Sequence, residues 1–222
     1  MAILNPTMAC ADPLHLADNV DALVRGGAEM LHIDIMDGHY VPNLCLSFDQ
    51  AAAIHRYCPR LPLDLHLMVD DPFAWLEQLA ELAPGYTSFH LDSTPFALRL
   101  IDRLRNLHIR PGVALNPSQP LASLEEVLAR VDFVLVMGVE PGFSGQRFLE
   151  RTTERIRALA GLRQERGLTF SIMVDGGLDH TSGPACAQAG ADILVGGAFV
   201  CFGQPDGIEQ SCRRFLAAVQ PV

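Results

Sequence analysis

The sequence predicts one (β/α)8 barrel domain spanning residues 1–222, on three observations. Short β-type runs alternate with helical runs along the whole chain, the signature of a parallel sheet with helices outside it. The repeat is about 28 residues per strand–helix unit, which suits a closed barrel better than an open doubly wound sheet. Ionisable or amide side chains gather at the ends of the β-type runs, namely Asp34, His66, His90, Asn116 and Asp175. In barrels of this kind the active site lies where strands end and loops begin.

The elements follow in order. Strands are expected at 2–7, 30–35, 62–67, 86–91, 110–115, 132–137, 170–175 and 192–196. A helical segment at 12–27 opens on Asp12 and Pro13 and closes on glycine, and 71–85 repeats that punctuation from Asp71 and Pro72. Residues 123–130, 151–167 and 206–219 carry helical apolar spacing. Asp37, followed by Gly38, reads as a turn. His15, His55, His108 and His180 have no partner pattern and read as surface residues, while His90 reads equally as a rim contact or a satisfied histidine. The dinucleotide fingerprint G-x-G-x-x-G after the first strand is missing.

Composition bounds the function. The chain of 222 residues is 49% hydrophobic, enough for one large core. No run reaches the roughly 18 apolar residues of a membrane span, and no signal-peptide pattern is evident. The expectation is a soluble, cytoplasmic protein with no membrane partner. The net charge of −10 argues against a nucleic-acid partner, which needs a basic face. A small anionic ligand then needs local help from backbone N–H groups. Cysteines 10, 45, 58, 186, 201 and 212 are scattered without a C-x-x-C pair and read as free thiols.

Residues two apart in a strand share a face. His32 and Asp34 therefore point together, as do Asp64 and His66, with Ile33, Ile35, Leu65 and Leu67 facing the helices. Met36 follows on the inward parity. Buried inward charges need partners or a metal. With Asp175, the set His32, Asp34, His66 and Asp175 suits one divalent ion such as Zn, Fe, Mn or Co. Read singly, each of these residues is as well explained as a satisfied core or rim group. Three glycine-rich loops follow strands six, seven and eight: 140–146, 175–178 and 195–199. Glycine lets backbone N–H groups approach a phosphate, although the same glycines also serve tight turns. Residues 142–145 also read as a closing lid in which Phe143 excludes water.

The segments HIDIMDGHYVPN, LDLHLMV, VMGVEPGFSGQRF and VDGG, in this order and spacing, resemble the ribulose-phosphate 3-epimerase family over essentially the whole chain. The resemblance implies a TIM barrel with one divalent metal ion per chain, held by His32, Asp34, His66 and Asp175. It implies that Asp34 and Asp175 are also the catalytic acid and base. Thr7, Met36, His66, Met68 and Met137 match positions at the substrate. Gly176, Gly177, Gly196 and Gly197 match the phosphate-binding backbone, and Gly142, Phe143, Ser144 and Gly145 match the mobile loop. The implied reaction is 3-epimerisation of a ketose phosphate, D-ribulose 5-phosphate by default. The implied state is a homo-oligomer.

The sequence departs from the family pattern at Thr7, Met173 and Ala198, where serine, glutamate and serine are usual, and Ser144 stands where glycine or alanine is common. Residues 43–50 look more like the allulose 6-phosphate branch. D-Allulose 6-phosphate is therefore the alternative substrate. Metal-assisted hydrolysis and non-catalytic sugar-phosphate binding are the readings from other classes.

Overall fold

A computed structural model describes residues 2–219. Eight parallel strands form one sheet in the order β1-β8-β7-β6-β5-β4-β3-β2. They are β1 (Ile3–Pro6), β2 (Leu31–Met36), β3 (Leu63–Met68), β4 (Tyr86–His90), β5 (Arg110–Leu115), β6 (Phe133–Met137), β7 (Ser171–Asp175) and β8 (Ile193–Gly196). All eight predicted strands are present, each shortened or shifted by at most a residue or two at an end. The ring closes between β1 and β2 through a single bridge, Thr7 to His32, and one bond from Glu29 N–H to the Leu4 carbonyl. The predicted barrel is therefore the observed one, with a thin seam beside the site. The predicted domain includes residues 1 and 220–222, which lie outside the described residues.

The helices are α1 (Leu16–Arg25), α2 (Phe48–Tyr57), α3 (Leu76–Leu82), α4 (Ala97–Asn106), α5 (Arg151–Glu165), α6 (Ser182–Ala189) and α7 (Gly207–Val219). Two expectations need correction. Asp12 does not cap α1, because its carboxylate accepts from Leu14 N–H and the helix begins only at Leu16. Residues 123–130 do not form an α-helix. A 3-10 turn covers Leu121–Leu124, and the N–H groups of Val127 and Leu128 donate to the Leu124 carbonyl in further tight turns. Leu124, Val127 and Leu128 are buried by these turns, so the crossover is packed without a helix. Asp71 does cap, accepting from Phe73 N–H at the start of a 3-10 turn.

Strand alternation produces two apolar layers. Ile33, Ile35, Leu65, Leu67, Val113 and Val134 pack outward against the helices. Met30, Ala114, Phe133, Leu135, Met173, Ile193 and Val195 fill the barrel interior. The Phe133 ring occupies the axis because its register partner is Gly112. A Cβ at Gly112 would lie 2.3 Å from that ring. This apolar plug forms a floor, and the polar ends of the strands stand above it. All six cysteines are free. Among the described residues no helix is long and apolar enough to cross a membrane.

Candidate active site and metal centre

The site begins with register. On β2 and β3, His32 stands opposite Asp64 and Asp34 opposite His66, so imidazole and carboxylate alternate in both directions. All four are buried. Asp175 arrives from the end of β7, with β8 and β1 between it and β2.

One atom from each of His32, Asp34, His66 and Asp175 lies within 4.8 Å of the others. His32 Nε2 is 3.4 Å from Asp34 Oδ1 and 3.9 Å from Asp175 Oδ2. His66 Nδ1 is 3.3 Å and 3.6 Å from the same two atoms. The two imidazoles thus aim different ring nitrogens at one centre. Each is set from behind: His32 Nδ1 meets Asp64 Oδ2 at 2.7 Å, and His66 Nε2 meets His90 Nε2 at 2.9 Å. His90 is wholly buried, with the Tyr40 ring at 4.6 Å and its Nδ1 without a partner, so it backs His66 and is not a rim contact.

The donor set fits a divalent cation. His32 Nε2 and His66 Nδ1 are buried and accept or donate no hydrogen bond. Among the described residues, the ion-pair partners of Asp34, Asp64 and Asp175 are imidazoles alone, with no lysine or arginine. Three inward carboxylates against two imidazoles leave the centre short of positive charge. Mixed nitrogen and oxygen donors suit Zn, Mn, Fe or Co.

The two carboxyls at the centre titrate in opposite directions. Burial alone would raise Asp34, but His32 and His66 outweigh it and hold the carboxyl far below the usual carboxylate range. Burial raises Asp175, and the charges of Asp34 and Asp64 add to that against the two imidazoles. His32 is held well above the usual imidazole value, because Asp34 and Asp64 outweigh its burial. Thr7 donates its hydroxyl to Asp34 Oδ2 at 2.5 Å, which fixes the carboxylate from the β1 side.

A cavity opens directly above. Thr7, Met36, Met68, Met137, Gly142, Phe143, Ser144, Gly145, Gly176, Gly177 and Gly197 line it together with Asp34 and Asp175. The structure therefore brings nearly the whole predicted set together. Three residues sit apart from the cavity, and one of them, His32, is fully buried at the metal centre. His66 is fully buried beneath it, so it faces the metal centre and not the mouth. Gly196 ends β8 packed against Leu4 and Cys201, and its carbonyl accepts from Thr7 N–H. Gly176 and Gly177 hold positive φ values of 106° and 68°. A Cβ at Gly177 would press within 2.6 Å of Phe148 N, so side chains are excluded there. The N–H groups of Gly177 and Gly197 donate to no oxygen among the described residues. The loop at 142–146 is tied down where Asn43 Nδ2 donates to the Gly142 carbonyl at 2.7 Å, and Phe143 is half exposed over the mouth.

Sequence reasoning missed Asn5, Cys10, Val139, Glu140 and Phe199, and did not place Asp64 in the site. Asp64 carried a usable signal, since it precedes His66 by two and shares its inward parity. Asn5 carried none, because its partner lies 59 residues away. His15 and His108 are exposed as expected, whereas His55 and His180 are half buried; His180 meets Ser211 at 3.2 Å.

Among solved structures, KGPDC from Streptococcus mutans superposes with a TM-score of 0.71 over 99% of this chain and 97% of its own, at 12% identity. Thiamine phosphate pyrophosphorylase from Pyrococcus furiosus gives 0.67 at 11% identity, covering 98% and 95%. Those likenesses concern the fold. Sequence relatives are nearer. The ribulose-phosphate 3-epimerase of Aquifex aeolicus (strain VF5) is 35% identical over 214 residues, covering 96% of this chain and 95% of the relative. That of Treponema pallidum (strain Nichols) is 40% identical over 195 residues, covering 88% and 89%. Residues 3–201 match the model of the ribulose-phosphate 3 epimerase family. With the match running from the first strand to beyond the last, the chain belongs to the ribulose-phosphate 3-epimerase family.

Proposed function

We propose that this chain epimerises a ketose phosphate at C3, with D-ribulose 5-phosphate and D-xylulose 5-phosphate as the pair, and that Asp34 and Asp175 move the proton. The observation that carries this reading is the convergence of Asp34, from β2, and Asp175, from β7, with two imidazoles at one centre beside the cavity. Asp34 is held ionised and Asp175 is raised toward its protonated form, at one centre. Groups pushed apart in this way mark a base and an acid.

The C3 proton is acidic because it lies beside the C2 carbonyl. Asp34 takes it from one face, leaving a planar enediolate, and Asp175 returns a proton to the opposite face. The reverse reaction exchanges the two roles. A positioned acid or base contributes about 10²–10⁴-fold, or roughly 3–5 kcal/mol. Enzymes supply about 8–23 kcal/mol in all, so proton transfer needs electrostatic help. A divalent ion held by His32, Asp34, His66 and Asp175 would supply positive charge where oxygen charge develops. Thr7 keeps the Asp34 carboxylate oriented. Met36, Met68 and Met137 give the cavity a polarisable wall with no competing proton donor. The free N–H groups of Gly177 and Gly197 suit a phosphate. The loop at 142–146 serves as the lid that keeps water out.

Residues 1–222 are read as one domain working as a homo-oligomer. Exposed Leu14 and Leu44 on loops at the same end of the barrel support association, which light scattering tests. Six free thiols suit a reducing compartment and support a cytoplasmic location.

The test is NMR of ribulose 5-phosphate in D₂O, with enzyme reconstituted separately with Zn, Mn and Fe. Deuterium is expected at C3, and Asp34→Asn or Asp175→Asn is expected to stop epimer formation. Full turnover in the doubly substituted protein overturns the assignment. Allulose 6-phosphate run in parallel decides the substrate: a much higher kcat/KM for it replaces the pentose pair. Phosphate release would point to hydrolysis, and binding without exchange to a non-catalytic binder.

A further inference from the structure

A second polar layer lies under the four converging side chains, and the proposed proton transfers do not use it. Asp64 and Asn5 are both wholly buried there. Asp64 Oδ2 is 2.7 Å from His32 Nδ1, and Asn5 Nδ2 donates to the same oxygen at 2.7 Å. Asn5 Nδ2 also reaches Met173 Sδ at 3.7 Å. Asp64 Oδ1 and Asn5 Oδ1 have no partner.

We propose that Asp64, itself oriented by Asn5, is a positioning residue that holds His32 with its proton on Nδ1 and its Nε2 lone pair toward the centre. The inference rests on the metal-centre reading above and extends it to residues without contact to the ion or the sugar. An ionised carboxylate only accepts hydrogen bonds, so the ring nitrogen facing Asp64 must be the protonated one. That choice leaves Nε2 as an acceptor, 3.4 Å from Asp34 Oδ1 and otherwise unpartnered. Two electron-rich atoms at that separation need a cation between them, a proton on Nε2 when no ion is bound and the divalent ion when it is. The opposite tautomer would point a lone pair at Asp64 and place a proton where the ion belongs.

Met173 fits this arrangement. It is fully buried and lies on the inward face of β7, against the same amide of Asn5. Asn5 Nδ2 carries two N–H groups, and the thioether, a weak and uncharged acceptor, lies on the side not used by Asp64. A carboxylate at this position would add negative charge beside Asp64. Asn5 and Met173 therefore act as a matched pair, one donating to the positioning carboxylate and the other adding no charge beside it.

The experiment compares the parent with Asp64→Asn, Asn5→Ala and Met173→Glu. Three readouts are taken: Mn affinity by calorimetry, ¹⁵N-histidine NMR of the Zn-loaded protein, and kcat and KM with ribulose 5-phosphate. In the parent, NMR should place a proton on His32 Nδ1. Asp64→Asn should weaken Mn binding about 10–100-fold and lower kcat while leaving KM little changed. Asn5→Ala and Met173→Glu should shift affinity in the same direction by less. If Asp64→Asn does not fold, Asn5→Ala carries the test on the same readouts. A parent His32 protonated on Nε2 overturns the proposal. So does unchanged Mn affinity with an unchanged His32 resonance in the folded variants. A parent that binds Mn with the predicted tautomer but never exchanges the C3 proton sinks the epimerase reading and leaves this inference standing.

Discussion

Thr7 and Asp34 meet at 2.5 Å across the seam between β1 and β2. The hydroxyl that ends β1 is therefore committed to the carboxylate assigned as base. It also accepts from Ala9 N–H, so its lone pair is engaged as well. A hydrogen bond to a charged group is worth about 1.5–3 kcal/mol, or roughly 10–150-fold. Thr7→Val should lower kcat by about that factor with KM nearly unchanged. Thr7→Ser keeps the hydroxyl and should stay within a few-fold of the parent. Steady-state kinetics decide it, and a silent Thr7→Val would show that Asp34 needs no holding.

Removing the ion should cost stability as well as activity. Three carboxylates near two imidazoles repel one another once the positive charge is gone. A ligand at a thousand times its Kd stabilises by about 4 kcal/mol. In a chain of this size that amounts to about 8–16 °C in Tm. Chelation should lower Tm by several degrees, and added Mn or Zn should restore it. His66→Ala should abolish the metal-dependent part, whereas His55→Ala should not. Calorimetric scans with and without chelator make the comparison.

Gly112 is needed for the floor under the site. The Phe133 ring lies where a Cβ at Gly112 would fall, at 2.3 Å. Overpacking of this kind costs about 1–3 kcal/mol or more. Gly112→Ala should lower Tm by about 2–12 °C, and pairing it with Phe133→Leu should recover part of the loss. Additive losses in the double variant would show that the two positions are not coupled through this contact.

Asp37 should make the β2 end sensitive to acid. Burial opposes ionisation there, but N–H groups of Asp70, His39 and Tyr40 outweigh it and lower the carboxyl. A group lowered on folding adds stability above its unfolded value of about 3.9. That stability is lost as the pH falls through the folded value. The stability gap between the parent and Asp37→Asn should therefore be full at about pH 6 and shrink below about pH 4. Urea melts across that range measure it. A gap constant down to about pH 3 would remove these bonds from the account.

The strands were legible because short apolar runs recurred at regular spacing along the chain, and parity alone told inward from outward at His32, Asp34, Asp64 and His66. The helices were less legible. α2 carries a capping box, Ser47 with Gln50, that the apolar spacing of an alanine-rich segment obscures. α6 contains Gly183 and Pro184 in its first turn, which read locally as a loop. At the site, residue types and spacing were readable, but the choice of ring nitrogen was not. His32 and His66 present different nitrogens because one is backed by Asp64 and the other by His90. Those backing contacts depend on register across strands, which no local pattern encodes.

The thin seam has a consequence for how the protein is made. β1 leaves the ribosome before the other seven strands, yet its ladder partner is β8, with Ile3 opposite Ile193. Its link to β2, close by in the chain, is one bridge and one further backbone bond. The first strand therefore stays unpaired on one side until β8 has been translated. Asp175, at the end of β7, also emerges late, so the four converging side chains come together only after seven strands have been made.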